Sequence, residues 1–405
     1  MNFGSFLVIS ICVKLSSQYK LLNISNPFRS IRYNPDVDLN VPQIIARHGY
    51  MSETHVVVSK DGYLLTLHRI PRSKNGSTGN TPVFLQHGLL GSSADWIING
   101  NNSLAFLLSD TGYDVWLGNA RGNAYSKGHV SLSVEDPRFW NFSWYEMGVN
   151  DLPACFNYIA SVTQKSADLH YIGHSMGTTM FFVYASEVAK AAENVKQMIA
   201  LAPVANMTHI KSPIRYLAPF TDDVQWISKM IGLNQFLPND KLLKFLAYDC
   251  ELLHIDQAIC ENILFILCGF DKAELNQDIL PVIFSKLPSG TSTKTVLHYS
   301  QEIKNGGVFR NYDYGTKGNM EMYGTTKPPK FNVSNIEVPV YFMYGMNDWL
   351  ASYIDVNTLS KQVGNLIGIY KIPMDSFNHI DFLFGKDAEK LVYRPILKLL
   401  STGSL

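Results

Sequence analysis

The chain has 405 residues, 46% of them hydrophobic and 12% aromatic, which is enough apolar material for a large core and excludes a disordered polar chain. Lys plus Arg and Asp plus Glu each total 34, a formal net charge of zero, so charge gives no argument for nucleic acid or an anionic surface as partner. Length alone suggests one large domain, or a domain that carries a large insertion.

Residues 1–13 (MNFGSFLVISICV) are uncharged and largely apolar, and then meet Lys14 and the polar Ser16, Ser17 and Gln18. The run is too short to span a bilayer and fits a secretory signal peptide ending near residue 17, with a basic leading segment missing; a buried N-terminal helix is the alternative. Six Asn-x-Ser/Thr sequons, at Asn23, Asn75, Asn101, Asn141, Asn206 and Asn332, are candidate glycan acceptors and point to the same secretory route. Secretion is therefore expected, with the lysosome as the alternative and no transmembrane segment. Removal of the signal would delete Cys12 and leave Cys155, Cys250, Cys260 and Cys268. The short segment between Cys250 and Cys260 makes these two the plausible bridge in an oxidising compartment, while Cys155 and Cys268 lie in apolar surroundings and read as buried thiols.

Residues 55–70 (HVVVSKDGYLLTLHRI) hold two β-rich runs around Lys60-Asp61-Gly62, a turn sequence that predicts a hairpin. Apolar runs then recur at 83–86, 113–117, 169–172, 198–201, 338–344 and 367–372, with helical segments between them. Short runs that are apolar throughout suit strands covered on both faces of a mostly parallel sheet flanked by helices. Asp151-Leu152-Pro153 predicts a helix start, with Asp as cap and Pro in the first turn. The alternation stops between 206 and 337, where bulky apolar residues follow a helical period (VQWISKMIGL, LLKFLAY, ILFILCGF). This stretch is expected to be an inserted, mainly helical cap between a first core part at 43–205 and a second at 338–400. Ordinary peripheral helices are the plainer alternative.

Gly173-His174-Ser175-Met176-Gly177 matches the G-x-S-x-G nucleophile elbow. The string alone is only suggestive, but it follows the strand-like LHYI and precedes a helical segment at 178–189, the strand-turn-helix setting that the motif requires. A serine hydroxyl is a poor nucleophile at neutral pH and needs a histidine base, itself held in one tautomer by a carboxylate. Sheets that use this elbow order the three as nucleophile, acid, histidine. After the elbow come His209, His254, His298 and His379, and the first three fall in the expected cap. His379, in a loop after the last strand-like run, is the candidate base. The acid should end a strand before it, and Asp348 follows the 338–344 run in a Gly-Met-Asn-Asp turn; Asp271 and Asp313 are weaker candidates and Asp381 follows the histidine. Two backbone N–H donors are needed for an oxyanion. The candidates are Met176, next to the nucleophile, and Leu89, in the small-residue loop Gln86-His87-Gly88-Leu89-Leu90-Gly91.

With these residues in place the chain resembles the animal acid lipase family, which includes gastric and lysosomal lipases and secreted insect relatives. The resemblance runs roughly from Gln43 to Arg394 and is carried by DGYLLTLHRIP, LQHGLLGSSADW, GYDVWLGNARGNAYS, DLPACFNYI, IGHSMGTT, ALAPVA, ENILFILCGFD, YDYG and NHIDF. It implies an α/β-hydrolase fold with a cap, cleavage of triacylglycerol or sterol esters through an acyl-enzyme, and a triad of Ser175, Asp348 and His379 with oxyanion donors at Leu89 and Met176. It also implies a Cys250–Cys260 disulfide and a free Cys268. Residues 114–122 look like a family signature with a structural role. Met176 departs from the Gln of many relatives, which bears on substrate preference more than on activity. No metal or organic cofactor is implied, and the expected partner is a lipid ester at a lipid–water interface, met by a monomer. A carboxylesterase for more soluble esters, or an inactive lipid-binding homologue, are the competing expectations.

Overall fold

The computed structural model describes residues 33–216, 235–236, 265 and 267–405. The expected signal peptide, Asn23, His254 and the Cys250–Cys260 pair lie outside the described residues.

The two runs around Lys60-Asp61-Gly62 form the expected hairpin, β1 (Glu53–Val58) and β2 (Tyr63–Ile70), paired antiparallel from Glu53–Arg69 to Val58–Leu64. There follow β3 (Thr81–Gln86), β4 (Tyr113–Leu117), β5 (Gly128–His129), β6 (Leu169–His174) and β7 (Val195–Leu201). Two short strands, β8 (Gln235–Phe236) and β9 (Thr291–Ser292), pair with each other, and β10 (Val340–Tyr344) and β11 (Leu366–Lys371) return to the main sheet. That sheet is ordered β1-β2-β4-β3-β6-β7-β10-β11, with β5 on β2. Every pair from β4 to β11 is parallel.

Six sequence runs thus become six parallel strands, within a residue or three of their expected bounds. For the inner strands the reason is burial on both faces, whereas the edge strand β11 alternates between half-buried and exposed residues. All six residues of β6 are buried, as are five of the six in β3, so neither face selects polar side chains and the period-two alternation is lost. Helices α1 (Val41–Arg47), α2 (Leu104–Asp110), α3 (Leu152–Thr163), α4 (Met176–Glu187), α5 (Leu280–Lys286), α6 (Thr293–Lys304), α7 (Gly315–Tyr323), α8 (Tyr353–Ser360) and α9 (Arg394–Thr402) are the longer ones that lie wholly within the described residues. Among the described residues no helix is long and apolar enough to cross a membrane.

Of the stretch expected as a cap, residues 206–216, 235–236, 265 and 267–337 are described, and the last of these runs packs on the core. The His298 ring stacks on Trp144 with centroids 3.7 Å apart and planes 12° from parallel, and Phe309 and Phe331 close on the same indole. His298 Nδ1 meets the Ser143 hydroxyl at 3.0 Å and its Nε2 donates to the Arg310 carbonyl at 2.9 Å. Burial pushes the His298 pKa down to about 3. The imidazole is therefore a neutral part of an aromatic cluster, as expected of a histidine that serves packing.

Asp151 does not cap α3 as its sequence suggests. Its backbone is already helical and its side chain makes no cap bond; the carboxylate turns instead to Arg121, whose side chain is wholly buried. Arg121 Nε meets both Asp151 oxygens at 3.0 and 2.9 Å, while Nη1 and Nη2 fork onto Asp61 at 2.7 and 2.8 Å. The guanidinium also lies 3.9 Å from the centroid of the Tyr63 ring. Burial alone would lower the Arg121 pKa, but the two carboxylates outweigh it and raise it. The 114–122 signature therefore has the structural role its sequence suggests: Arg121 ties the β1–β2 turn to the start of α3.

Removing one member of a buried ion pair leaves a desolvated charge unmatched, typically by 3–5 kcal/mol. Arg121→Met is expected to lower unfolding stability by about that amount, and Arg121→Met with Asp151→Asn to recover part of it. Urea unfolding of the two variants checks this; equal loss in both would show that packing of the arginine, not charge, is what matters.

Candidate active site

The elbow is built as its sequence requires. β6 ends at His174 and α4 begins at Met176, two residues earlier than the periodicity suggests. Ser175 between them has φ +53° and ψ −117°. A non-glycine residue in that region costs on the order of 1–3 kcal/mol and persists only where its surroundings impose it. The impositions are visible. Ser175 N–H donates to Leu201 O on β7 at 3.1 Å, its carbonyl accepts from the Thr178 amide at 2.8 Å and hydroxyl at 2.6 Å, and Tyr171 OH holds Gly177 O at 2.7 Å. Gly177 is needed for contact, since a Cβ there would stand 2.4 Å from the Gln86 carbonyl.

His379 and Asp348 come together as expected. His379 Nδ1 lies 2.8 Å from Asp348 Oδ2, with both side chains buried. Asp348 follows β10, and its other oxygen, Oδ1, accepts the amides of Leu350 at 2.9 Å and Ala351 at 2.7 Å. Those two bonds orient the carboxylate so that Oδ2 is left for the imidazole. Because a carboxylate can only accept, Nδ1 carries the proton and Nε2 is left as the ring's acceptor. The Ser175 hydroxyl itself has no hydrogen-bond partner among the described residues.

His174, which the sequence leaves without a role, adjoins this pair. Its ring centroid is 4.8 Å from that of His379, and its Nε2 donates to the His379 carbonyl at 2.9 Å. Burial, and after it the His379 ring, hold its pKa well below the ordinary imidazole value. It is a neutral donor to the histidine loop. Its position one residue before the serine was the only signal available in the sequence.

The loop after β3 carries Leu89. His87 is buried and its pKa is pushed down to about 4 by burial. Its Nε2 accepts the Ala120 amide at 3.0 Å, so Nδ1 holds the proton and donates to Gly88 O at 2.7 Å. Asn119 Oδ1 accepts the Ser93 amide at 3.0 Å, Asn123 Nδ2 reaches Gly91 O at 3.4 Å, and the Ser289 amide donates to Leu90 O at 2.6 Å. Leu90 is itself at φ +63°. The 119–123 turn and Ser289 thus clamp this loop from two sides. The amides of Leu89 and Met176 donate to no group among the described residues, as befits the loop and the first turn of a helix.

The remaining sequence candidates are engaged by other partners, Asp271 and Asp381 beside the His379 loop and the others away from it. Asp313 accepts from the Gly315 amide and the Asn319 side chain, His209 pairs with Asp355 at 2.7 Å, and Asp381 accepts the Asn378 amide at 2.7 Å. Asp271 accepts the Ser376 hydroxyl at 2.8 Å. Cys155 and Cys268 are free and buried. Among the described residues no group of three or more His, Cys, Asp or Glu could hold a metal ion.

Comparison with known proteins shows the family. Residues 41–100 match a partial alpha/beta-hydrolase lipase region and residues 81–256 the alpha/beta hydrolase fold. The chain is 39% identical to lysosomal acid lipase/cholesteryl ester hydrolase of Homo sapiens, over 91% of this chain and 92% of that one. It is 40% identical to human gastric triacylglycerol lipase, again over 91% and 92%.

The chain belongs to the animal acid lipase family.

As an acid lipase relative it is a serine ester hydrolase of the α/β-hydrolase superfamily. In fold it is similar to a soluble variant of monoglyceride lipase from Saccharomyces cerevisiae, with a TM-score of 0.52 at 15% identity, over 94% of this chain and 99% of that one. The acid lipase chain owes its close loop packing to Gly88, where an added Cβ would lie 3.0 Å from Ser175 Cβ and 3.1 Å from His174 Nδ1. Gly88→Ala is expected to slow labelling by a fluorophosphonate by roughly tenfold or more while the protein still unfolds cooperatively. Labelling rates within twofold of wild type would show that the loop has room to yield.

Proposed function

We propose that this chain is a lipase that cleaves the carboxylic ester bonds of acylglycerols or sterol esters, with Ser175 as nucleophile, His379 as general base and acid, and Asp348 orienting the imidazole. The observation that carries the reading is the buried 2.8 Å bond from His379 to Asp348, beside a serine held at positive φ on a strand-to-helix turn. Ser175 Oγ attacks the ester carbonyl, His379 Nε2 takes its proton and returns it to the leaving alcohol, and water then hydrolyses the acyl-enzyme by the same route. The amides of Leu89 and Met176 meet the tetrahedral oxyanion, with the partial positive charge at the start of α4 behind the second. The role of Met176 is thus its backbone. Apolar runs between residues 206 and 337 supply an acyl-binding cap, where each buried methylene contributes about 0.8 kcal/mol. The names of the two human relatives support both ester classes.

Purified wild type and variants, assayed on emulsified triacylglycerol, a sterol ester and short water-soluble esters, test this reading. Ser175→Ala is expected to lose several orders of magnitude in turnover. Met176→Gln should stay within about tenfold of wild type, and Met176→Pro should lose two or more orders. Equal turnover in wild type and Ser175→Ala would sink the triad, and activity on soluble esters alone would remove the lipid substrate.

The apolar residues 1–13 and the sequons support a secretory route, to the extracellular space or the lysosome. Asn75, Asn101, Asn141 and Asn332 are exposed, whereas Asn206 is half-buried with its amide on Gln362 at 3.3 Å. Glycans are expected at the exposed four ahead of Asn206. Peptide mapping of protein secreted from animal cells checks this, and a chain that stays in the cytosol without glycans would overturn the route.

A further inference from the structure

We infer that Asn347 and Asn378 are positioning residues that fasten the acid and the base of the triad to one shared segment of backbone, residues 268–270. The inference rests on the triad assignment proposed above. Each asparagine immediately precedes a triad member, Asn347 before Asp348 and Asn378 before His379. Their side-chain amides donate to consecutive carbonyls: Asn378 Nδ2 to Gly269 O at 2.9 Å, and Asn347 Nδ2 to Phe270 O at 2.8 Å. The carbonyl before these, Cys268 O, accepts the backbone amides of Trp349 at 3.2 Å and His379 at 3.4 Å. Three successive carbonyls thus receive four donors from two loops that are far apart in sequence.

The segment is shaped for this contact. Gly269 has φ +116°, and a Cβ there would stand 2.2 Å from the Asn347 carbonyl. Asp271 continues the seam by accepting the Ser376 hydroxyl at 2.8 Å. Asn378 is fully buried and uses both ends of its amide: Oδ1 accepts the backbone amides of Ile380 at 2.9 Å and Asp381 at 3.2 Å. Asn347 Nδ2 also reaches Ser376 O at 3.0 Å and its Oδ1 accepts Trp349 Nε1 at 3.1 Å.

The acid and base meet through one short bond between two loops, and a displacement of about 1 Å can lower turnover by around a hundredfold. An asparagine before a turn is ordinarily explained by the local bonds of its oxygen. Here the nitrogen has a separate, long-range partner, and the two roles can be separated by substitution. Serine keeps a turn-forming oxygen but has no amide to reach the segment. Aspartate keeps the shape and the accepting oxygen, and when protonated its O–H can replace the lost donor to Gly269 O; when ionised it sets an oxygen against that carbonyl. The groups facing the His379 loop are the carboxyls of Asp348, Asp381 and Asp271 and the neutral ring of His174.

The test is full-length Asn347→Ser, Asn378→Ser and Asn378→Asp, with active sites counted by a fluorophosphonate and turnover of a p-nitrophenyl ester followed from pH 4 to 8. Per counted site, each serine variant is expected to lose roughly ten- to a hundredfold in kcat with KM within about threefold. The ratio of Asn378→Asp to wild type should fall as pH rises, since rescue requires the protonated acid. If the serine variants keep kcat within about threefold, or the aspartate ratio is flat with pH, the inference is wrong while the triad stands. A wild type that the fluorophosphonate does not label would overturn the triad reading, and this inference with it.

Discussion

The backbone of Ser175 is the constraint on which the rest of the structure depends. At φ +53° it is held against its own preference, and everything that holds it is part of the fold: β7 through Leu201, α4 through Thr178, and the loop after β3 through the fit of Gly88 and Gly177. A strain on the order of 1–3 kcal/mol is small against a core of this size, but it has to be met locally. The elbow can be tight because β6 is buried on both faces between β3 and β7, and cannot shift sideways to relieve the turn. In this sense the parallel sheet serves the serine.

Burial in the core has a second effect, on charge. His68, His87 and His170 have pKa values pushed down to about 4, chiefly by burial. A histidine in an unfolded chain titrates near 6.5, so their contribution to stability is complete above that value and is lost as pH falls through about 4. Asp95 behaves in the opposite way. Burial raises its pKa to about 7, so its contribution is complete below about 4, where an unfolded carboxyl also binds its proton, and is lost as pH rises toward 7. Asp381 and Glu302 are shifted upward with it, again by burial first. Between pH 4 and 7 the two sets act with opposite slopes. A core that buried only histidines would weaken steadily on acidification; one that also buries carboxyls has a flatter response.

Much of the fold was legible because burial on both faces of the inner strands leaves uninterrupted apolar runs; the run that became the edge strand β11 was found by its β-rich composition, since its residues alternate between half-buried and exposed. The proposed triad was read in a different way: the elbow is a local string, and chain order then selected His379 and Asp348 from the remaining candidates. Asp151 was misread because a helix cap and a buried ion pair use the same side chain, and nothing local indicates that Arg121 is waiting for it. His174 was passed over although it touches the serine in sequence, since its partner, the His379 carbonyl, is 205 residues away.

The same distinction explains why residues 268–271 could be placed in sequence but not understood from it. Within the expected cap, GFD looks like the end of a helical stretch, and its contribution lies mainly in carbonyl oxygens, which every residue has. Side-chain identity records which group can donate, as with Asn347 and Asn378, but not which backbone will accept. A motif therefore names the reacting atoms while the groups that hold them stay anonymous until the chain is folded. For this enzyme the division runs through single dipeptides: Asp348 and His379 are found by their chemistry, and the asparagine before each only by its partner.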